Sequence, residues 1–205
     1  MLKKIILLGC FIFAITLVSR AQRFELTPFG GYTFADKIPI ELGEATIKGG
    51  ITYGGIFSFD FKKRNTFEII FSRMDATATA YSDVPGFIDM TDQVDVNYIL
   101  AGIKWRFPIN KQALFFAGIN LGPGIIASKD DKFTTMTKFA IGVDAGIKYS
   151  LSEKLGLRFQ AFLNTPVTDE GETIWWSSGT GTTAGSTSYF PLTQFGLTAG
   201  LVFHI

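Results

Sequence analysis

Cysteine is almost missing from this chain, and its one copy, Cys10, lies inside an apolar N-terminal run. A mature protein without that run has no disulfide, no zinc-thiolate site and no cysteine nucleophile. Histidine is equally scarce: His204, next to the last residue, is the only one. A serine-histidine hydrolase therefore has a single imidazole to draw on, at the far end of the chain. Charge is sparse as well, at 18% of residues. Beyond the N-terminal run, no apolar stretch approaches the roughly 20 residues of a spanning helix, and none keeps a helical period.

The N-terminal run begins MLKKIILLGCFIFAITLVSRAQ, with Lys3 and Lys4 ahead of apolar residues 5–18 and a small residue, Ala21, before Gln22. That order of charged, apolar and small residues predicts a secretory signal over 1–21, leaving one domain over 22–205. Acylation at Cys10 is the competing reading. It would leave FIFAITLV as an apolar tail on the mature protein. Lys3, Lys4 and Arg20 go with the leader, so the remaining basic residues fall just below the 18 acidic ones. The mature chain is slightly acidic and carries no general nucleic-acid footprint.

What the sequence does have is 21 Phe and 22 Gly in 205 residues, with a positive mean hydropathy. It also has alternation of period two in segments of about ten residues or more, separated by turn chemistry. Eight strands are expected, over about 24–34, 49–61, 66–79, 94–107, 114–127, 135–151, 155–167 and 193–205. Over 135–151, Phe139, Ile141, Val143 and Ile147 share one face, and Gly142, Asp144, Gly146 and Lys148 the other. The first, fourth and fifth segments are less regular, and Gly30-Gly31 and Gly122-Pro123-Gly124 are expected to mark bulges or bends.

Alternation alone does not say which face is outside. Three features choose a membrane barrel over a soluble one. The polar face is rich in glycine and poor in charge, as a narrow filled lumen requires. Phe59, Phe61, Phe67, Trp105, Phe107, Phe115 and Tyr149 gather near strand ends that flank short turns, as an interfacial girdle does. Connections alternate between tight ones, at 62–65, 108–113 and 152–154, and longer ones, at 35–48, 80–93, 128–134 and 168–192. Transmembrane barrels place short turns in the periplasm and long loops outside. The expected fold is thus an all-β, eight-stranded, antiparallel up-and-down transmembrane barrel. It is exported through the periplasm to the bacterial outer membrane, where lipid and lipopolysaccharide surround it.

The segments RFELTPFGGYTF, TFEIIFSR, KFAIGVDAGIKYSLSEKLGLRFQAF and LTQFGLTAGLVFHI resemble the outer-membrane β-barrel family, the porin-like or opacity-like small barrels of Gram-negative bacteria. The resemblance covers nearly the whole mature chain and is specific for architecture rather than for a site. It implies recognition of the last strand by the barrel assembly machinery during insertion. Many members finish on Phe or Trp, whereas this chain has Phe203 and then a terminal Ile205.

By parity, Asp60, Glu68, Lys104, Arg106, Asp144, Lys148 and Arg158 point inward. Charges of both signs in a narrow interior must pair or stay hydrated, so they are expected to form an ion-pair plug. A polar constriction that passes small solutes is the alternative. Parity does not decide the facing of Arg73 and Asp75. The segment TDEGETIWWSSGTGTTAGSTSYFPL frames a flexible polar centre with Trp175, Trp176, Tyr189 and Phe190, candidates for an extracellular contact to a protein, a glycan or lipopolysaccharide. Its GTGTTA string has no helix after it and is no dinucleotide motif. No catalytic, cofactor or metal site is expected, and the chain is not expected to be an enzyme. The expectation is a structural or interaction barrel of the envelope, with an outer-membrane protein as a candidate partner. A narrow passive channel for small solutes or apolar molecules is the second reading.

Overall fold

A computed structural model of the chain describes residues 24–40, 43–62, 64–82, 90–129, 135–167 and 193–205. The secretory signal expected over 1–21 lies outside them. The strands are β1 (Phe24–Thr33), β2 (Asp36–Ile40), β3 (Gly43–Ile47), β4 (Gly50–Lys62), β5 (Asn65–Ser82), β6 (Met90–Pro108), β7 (Ala113–Ser128), β8 (Met136–Ser150), β9 (Leu155–Pro166) and β10 (Gln194–His204).

Eight of these form an antiparallel meander in the order β1, β4, β5, β6, β7, β8, β9, β10, and β10 pairs back onto β1. Closure leaves no edge in the barrel itself, and a sheet in lipid needs that because every unpaired backbone group there goes unsatisfied. Short turns are built with side-chain help. Asn110 Oδ1 accepts from the amides of Gln112 and Ala113 at 2.8 and 2.7 Å, and Ser152 Oγ accepts from Leu155 N at 3.1 Å.

Two expectations are corrected. The stretch 35–48 was expected to be a long loop, but it contains the hairpin β2–β3. Its second strand continues the sheet along β5, with Ile47 opposite Ala78, just beyond the start of β4 at Gly50. Gly30-Gly31 and the glycines around Pro123 are not bulges: β1 runs in step with β4, and β6–β7, though its pairing lapses between Tyr98↔Gly124 and Ala101↔Leu121, resumes in the same register. Gly31 serves close approach instead, since a Cβ there would lie 2.0 Å from the Leu197 carbonyl oxygen. The irregularity falls at Asp60/Lys62, beside a short turn.

The exterior carries Ile69, Phe71, Ile99, Ile119, Ile141 and Leu197, all well exposed. Trp105, Phe107, Phe115 and Tyr149 ring the short-turn end of this belt; at the other, Phe34 stacks on Phe195 and meets Tyr32 edge to face. An apolar exterior that encircles a closed barrel suits a bilayer and would aggregate in water.

Candidate functional site in the barrel lumen

The lumen is crossed by a polar network to which each of the eight barrel strands contributes. Glu68 on β5 is its hub and is fully buried. Arg158 on β9 grips it with two parallel bonds, Nη1 to Oε1 at 2.6 Å and Nη2 to Oε2 at 2.9 Å, and Ser58 Oγ on β4 donates to Oε1 at 3.2 Å. Two-pronged guanidinium-carboxylate pairing fixes direction as well as charge. The Arg158 Nε–H donates to Gln160 Oε1 at 2.7 Å.

Two lysines flank the hub. Lys104 on β6 donates to Asp144 Oδ2 on β8 at 2.5 Å and to Asn120 Oδ1 on β7 at 2.6 Å, while Asn120 Nδ2 donates to the same Asp144 oxygen at 2.9 Å. Lys148 on β8 donates to Glu25 Oε2 on β1 at 2.5 Å, and its Nζ lies 3.6 Å from Glu68 Oε1. His204 Nδ1 on β10 approaches Glu25 Oε1 at 3.4 Å. Phe116 lies beneath the cations, with the Arg158 guanidinium 4.2 Å from its ring centroid.

Charge balances within this layer: Glu25, Glu68 and Asp144 face Lys104, Lys148 and Arg158. An eight-stranded barrel has an interior just wide enough for side chains to fill, and here they fill it. Glycine makes the room. A Cβ on Gly118 would lie 2.4 Å from Lys104 Cδ, and one on Gly146 would lie 2.7 Å from Phe116 Cζ, so both large side chains occupy space that any other residue would claim.

Of the residues expected inward, Glu68, Lys104, Asp144, Lys148 and Arg158 meet in this layer. Asp60 and Arg106 form their own pair at the short-turn rim, Nη1 to Oδ2 at 2.5 Å, with Thr66 donating to the same aspartate. Glu25, Ser58 and Asn120 are further members that parity reading passed over. Glu25 shares a face with Thr27 and Phe29, and an aromatic on the lumen side blurs the contrast in β1. Arg73 and Asp75 face outward. They join Asp95 and Lys129 in an exterior cluster: Arg73 bonds Asp95, Lys129 Nζ lies 2.9 Å from both Asp75 Oδ1 and Asp95 Oδ1, and Tyr53 donates to Asp75 at 3.3 Å. Trp175, Trp176, Tyr189 and Phe190 lie outside the described residues.

No protein-family model matches this sequence, and no curated protein does. Solved structures match in fold. Neisserial surface protein A superposes with a TM-score of 0.59 at 14% identity, covering 88% of this chain and 96% of its own. Outer membrane protein OprG from Pseudomonas aeruginosa superposes with a TM-score of 0.55 at 8% identity, covering 90% of this chain and 95% of its own. The chain has the fold of the small bacterial outer-membrane β-barrels.

Proposed function

We propose that this chain is exported to the outer membrane and serves there as a structural or interaction protein of the envelope, not as a conduit. The observation that carries this reading is the layer around Glu68 and Arg158, to which all eight strands contribute and which occupies the lumen. The short turns lie in the periplasm and the long connections face outward, so residues 168–192, with their four aromatics, are the working surface for a partner protein, a glycan or lipopolysaccharide. Insertion through the barrel assembly machinery uses β10, whose outward residues Phe195, Leu197, Leu201 and Phe203 form an apolar stripe. No enzymatic role belongs to this reading. His204, the only imidazole, is held beside Glu25 at the short-turn end, away from the outer leaflet.

Recording from the purified full chain in planar bilayers tests the reading. A silent membrane is expected from protein that shows the heat-modifiable gel shift of a folded barrel. Stable single-channel steps that change when Lys104 is neutralised would establish the narrow channel in its place.

A further inference from the structure

We propose that the lumen is sealed twice, by the ionic layer and by a separate apolar layer toward the long-loop end. This rests on the closed-barrel reading above and goes beyond it.

One step past Glu68 and Lys104, the inward positions of β5 and β6 stop being charged. They become Ile70, Met74, Leu100, Tyr98, Val96 and Val94, with Ser72 among them, until Asp92 is buried at the long-loop end of β6, bonded by Ser128. Ile56 from β4 and Ile47 from the β2–β3 hairpin join them in one cluster, and Ile126 packs against it. With Phe29 from β1 and Ala140 from β8, the cluster draws on six of the eight barrel strands and on the hairpin, leaving out β9 and β10.

The outward positions change at the same level. Below it they are Ile69, Phe71, Ile99 and Ile103; above it they are Arg73, Asp75, Asp95 and Lys129. Parity is unbroken, yet the chemistry of the two faces is exchanged. Strands in lipid put apolar groups outward, whereas strands in water put them inward. Phe71/Arg73 on β5 and Ile99/Asn97 on β6 therefore mark where the wall leaves the bilayer. Above that level β5 and β6 turn polar groups outward and apolar groups inward, as the wall of a water-soluble barrel does. Close-packed side chains leave no water column, and a narrow apolar passage resists wetting, so this layer blocks ions by packing and not by ion pairing.

The two layers meet at a partly open pocket of about 20 Å³, roomy enough for one water. Ile70, Leu100 and Phe29 line it from the apolar side and Asn120 and Asp144 from the ionic side. Asp144 Oδ1 is buried and has no protein partner among the described residues, which is the kind of acceptor a trapped water satisfies.

The test is bilayer recording on the full chain in four forms: wild type, an ionic-layer variant (Glu68→Ala with Lys104→Ala and Arg158→Ala), an apolar-layer variant (Met74→Ser with Val96→Ser and Leu100→Ser) and their combination. Each form is first checked for the folded band on unheated gels. Both single-layer variants are expected to stay silent and the combination to give conductance steps. An ionic-layer variant that conducts as strongly as the combination would overturn the second seal while leaving the closed wild type intact, whereas a conducting wild type would overturn the closed-barrel reading itself. Should the combination not fold, Asn164→Cys in the ionic-layer variant keeps the question open to test. Its thiol lines the pocket and is expected not to react with a membrane-impermeant thiol reagent added from the long-loop side. Reaction from that side as fast as from the short-turn side would overturn the proposal.

Discussion

Glu68→Gln is expected to lower the unfolding free energy of the barrel in lipid vesicles by about 3–5 kcal/mol, the usual cost of removing one partner from a buried ion pair. The cause is local. Arg158 would keep its position between Gln160 and Phe116 but lose the carboxylate that both its Nη groups grip, and Lys104 and Lys148 would lose their shared neighbour. Replacing both partners, as Glu68→Leu with Arg158→Met, leaves the layer's net charge unchanged and retains the Lys104–Asp144 and Lys148–Glu25 pairs. That double variant is expected to cost less than either single replacement. Asp60→Asn, at the half-buried rim, is expected to cost no more than about 1 kcal/mol. Urea titrations of the wild type, these variants and the single replacements Glu68→Leu and Arg158→Met check the order, and an additive double variant would show that the pair is not coupled.

A lysine at Ile119 is expected to cost about 2–4 kcal/mol, and a lysine at Gln93 about 0–1 kcal/mol, because the penalty for a charge on the lipid face falls from the bilayer midplane to its edge. Ile119 points out of β7 with 47% of its surface exposed, level with the outward Ile103 on β6. Gln93 points out of β6 above the cluster of Arg73, Asp75, Asp95 and Lys129. In a soluble barrel both positions would face water, and both lysines would be nearly free of cost. Equal penalties in the same vesicle assay would place the bilayer edge elsewhere on β6.

Much of the barrel was legible because β8, β9 and β10 lie wholly in one regime. Their alternation separates Phe139, Ile141 and Val143 from Gly142 and Asp144 without ambiguity, and it brought Asp144, Lys148 and Arg158 inward together. The strands that read poorly did so for physical reasons. β6 passes from bilayer to water, so Val94, Val96, Tyr98 and Leu100 are apolar on one face while Ile99, Ile103 and Trp105 are apolar on the other. A template with one apolar face blurs at such a crossing. The hairpin β2–β3 was missed because its strands are five residues each and carry Pro39 and Gly43, features of a loop. The pairing of Glu25 with Lys148 joins positions far apart in the chain, and only closure of β1 on β10 brings them within reach.

The most direct test is a single-cysteine nitroxide scan along β6 from residue 93 to 105 in bilayers, aided by a sequence whose only cysteine is Cys10. Labels at 99, 101, 103 and 105 are expected to be reached by oxygen from the lipid, labels at 93, 95 and 97 by a water-soluble nickel complex, and labels at the even positions by neither. Nickel access at the even positions would show an open lumen, and nickel access at 99 to 105 would show that this barrel does not cross a membrane.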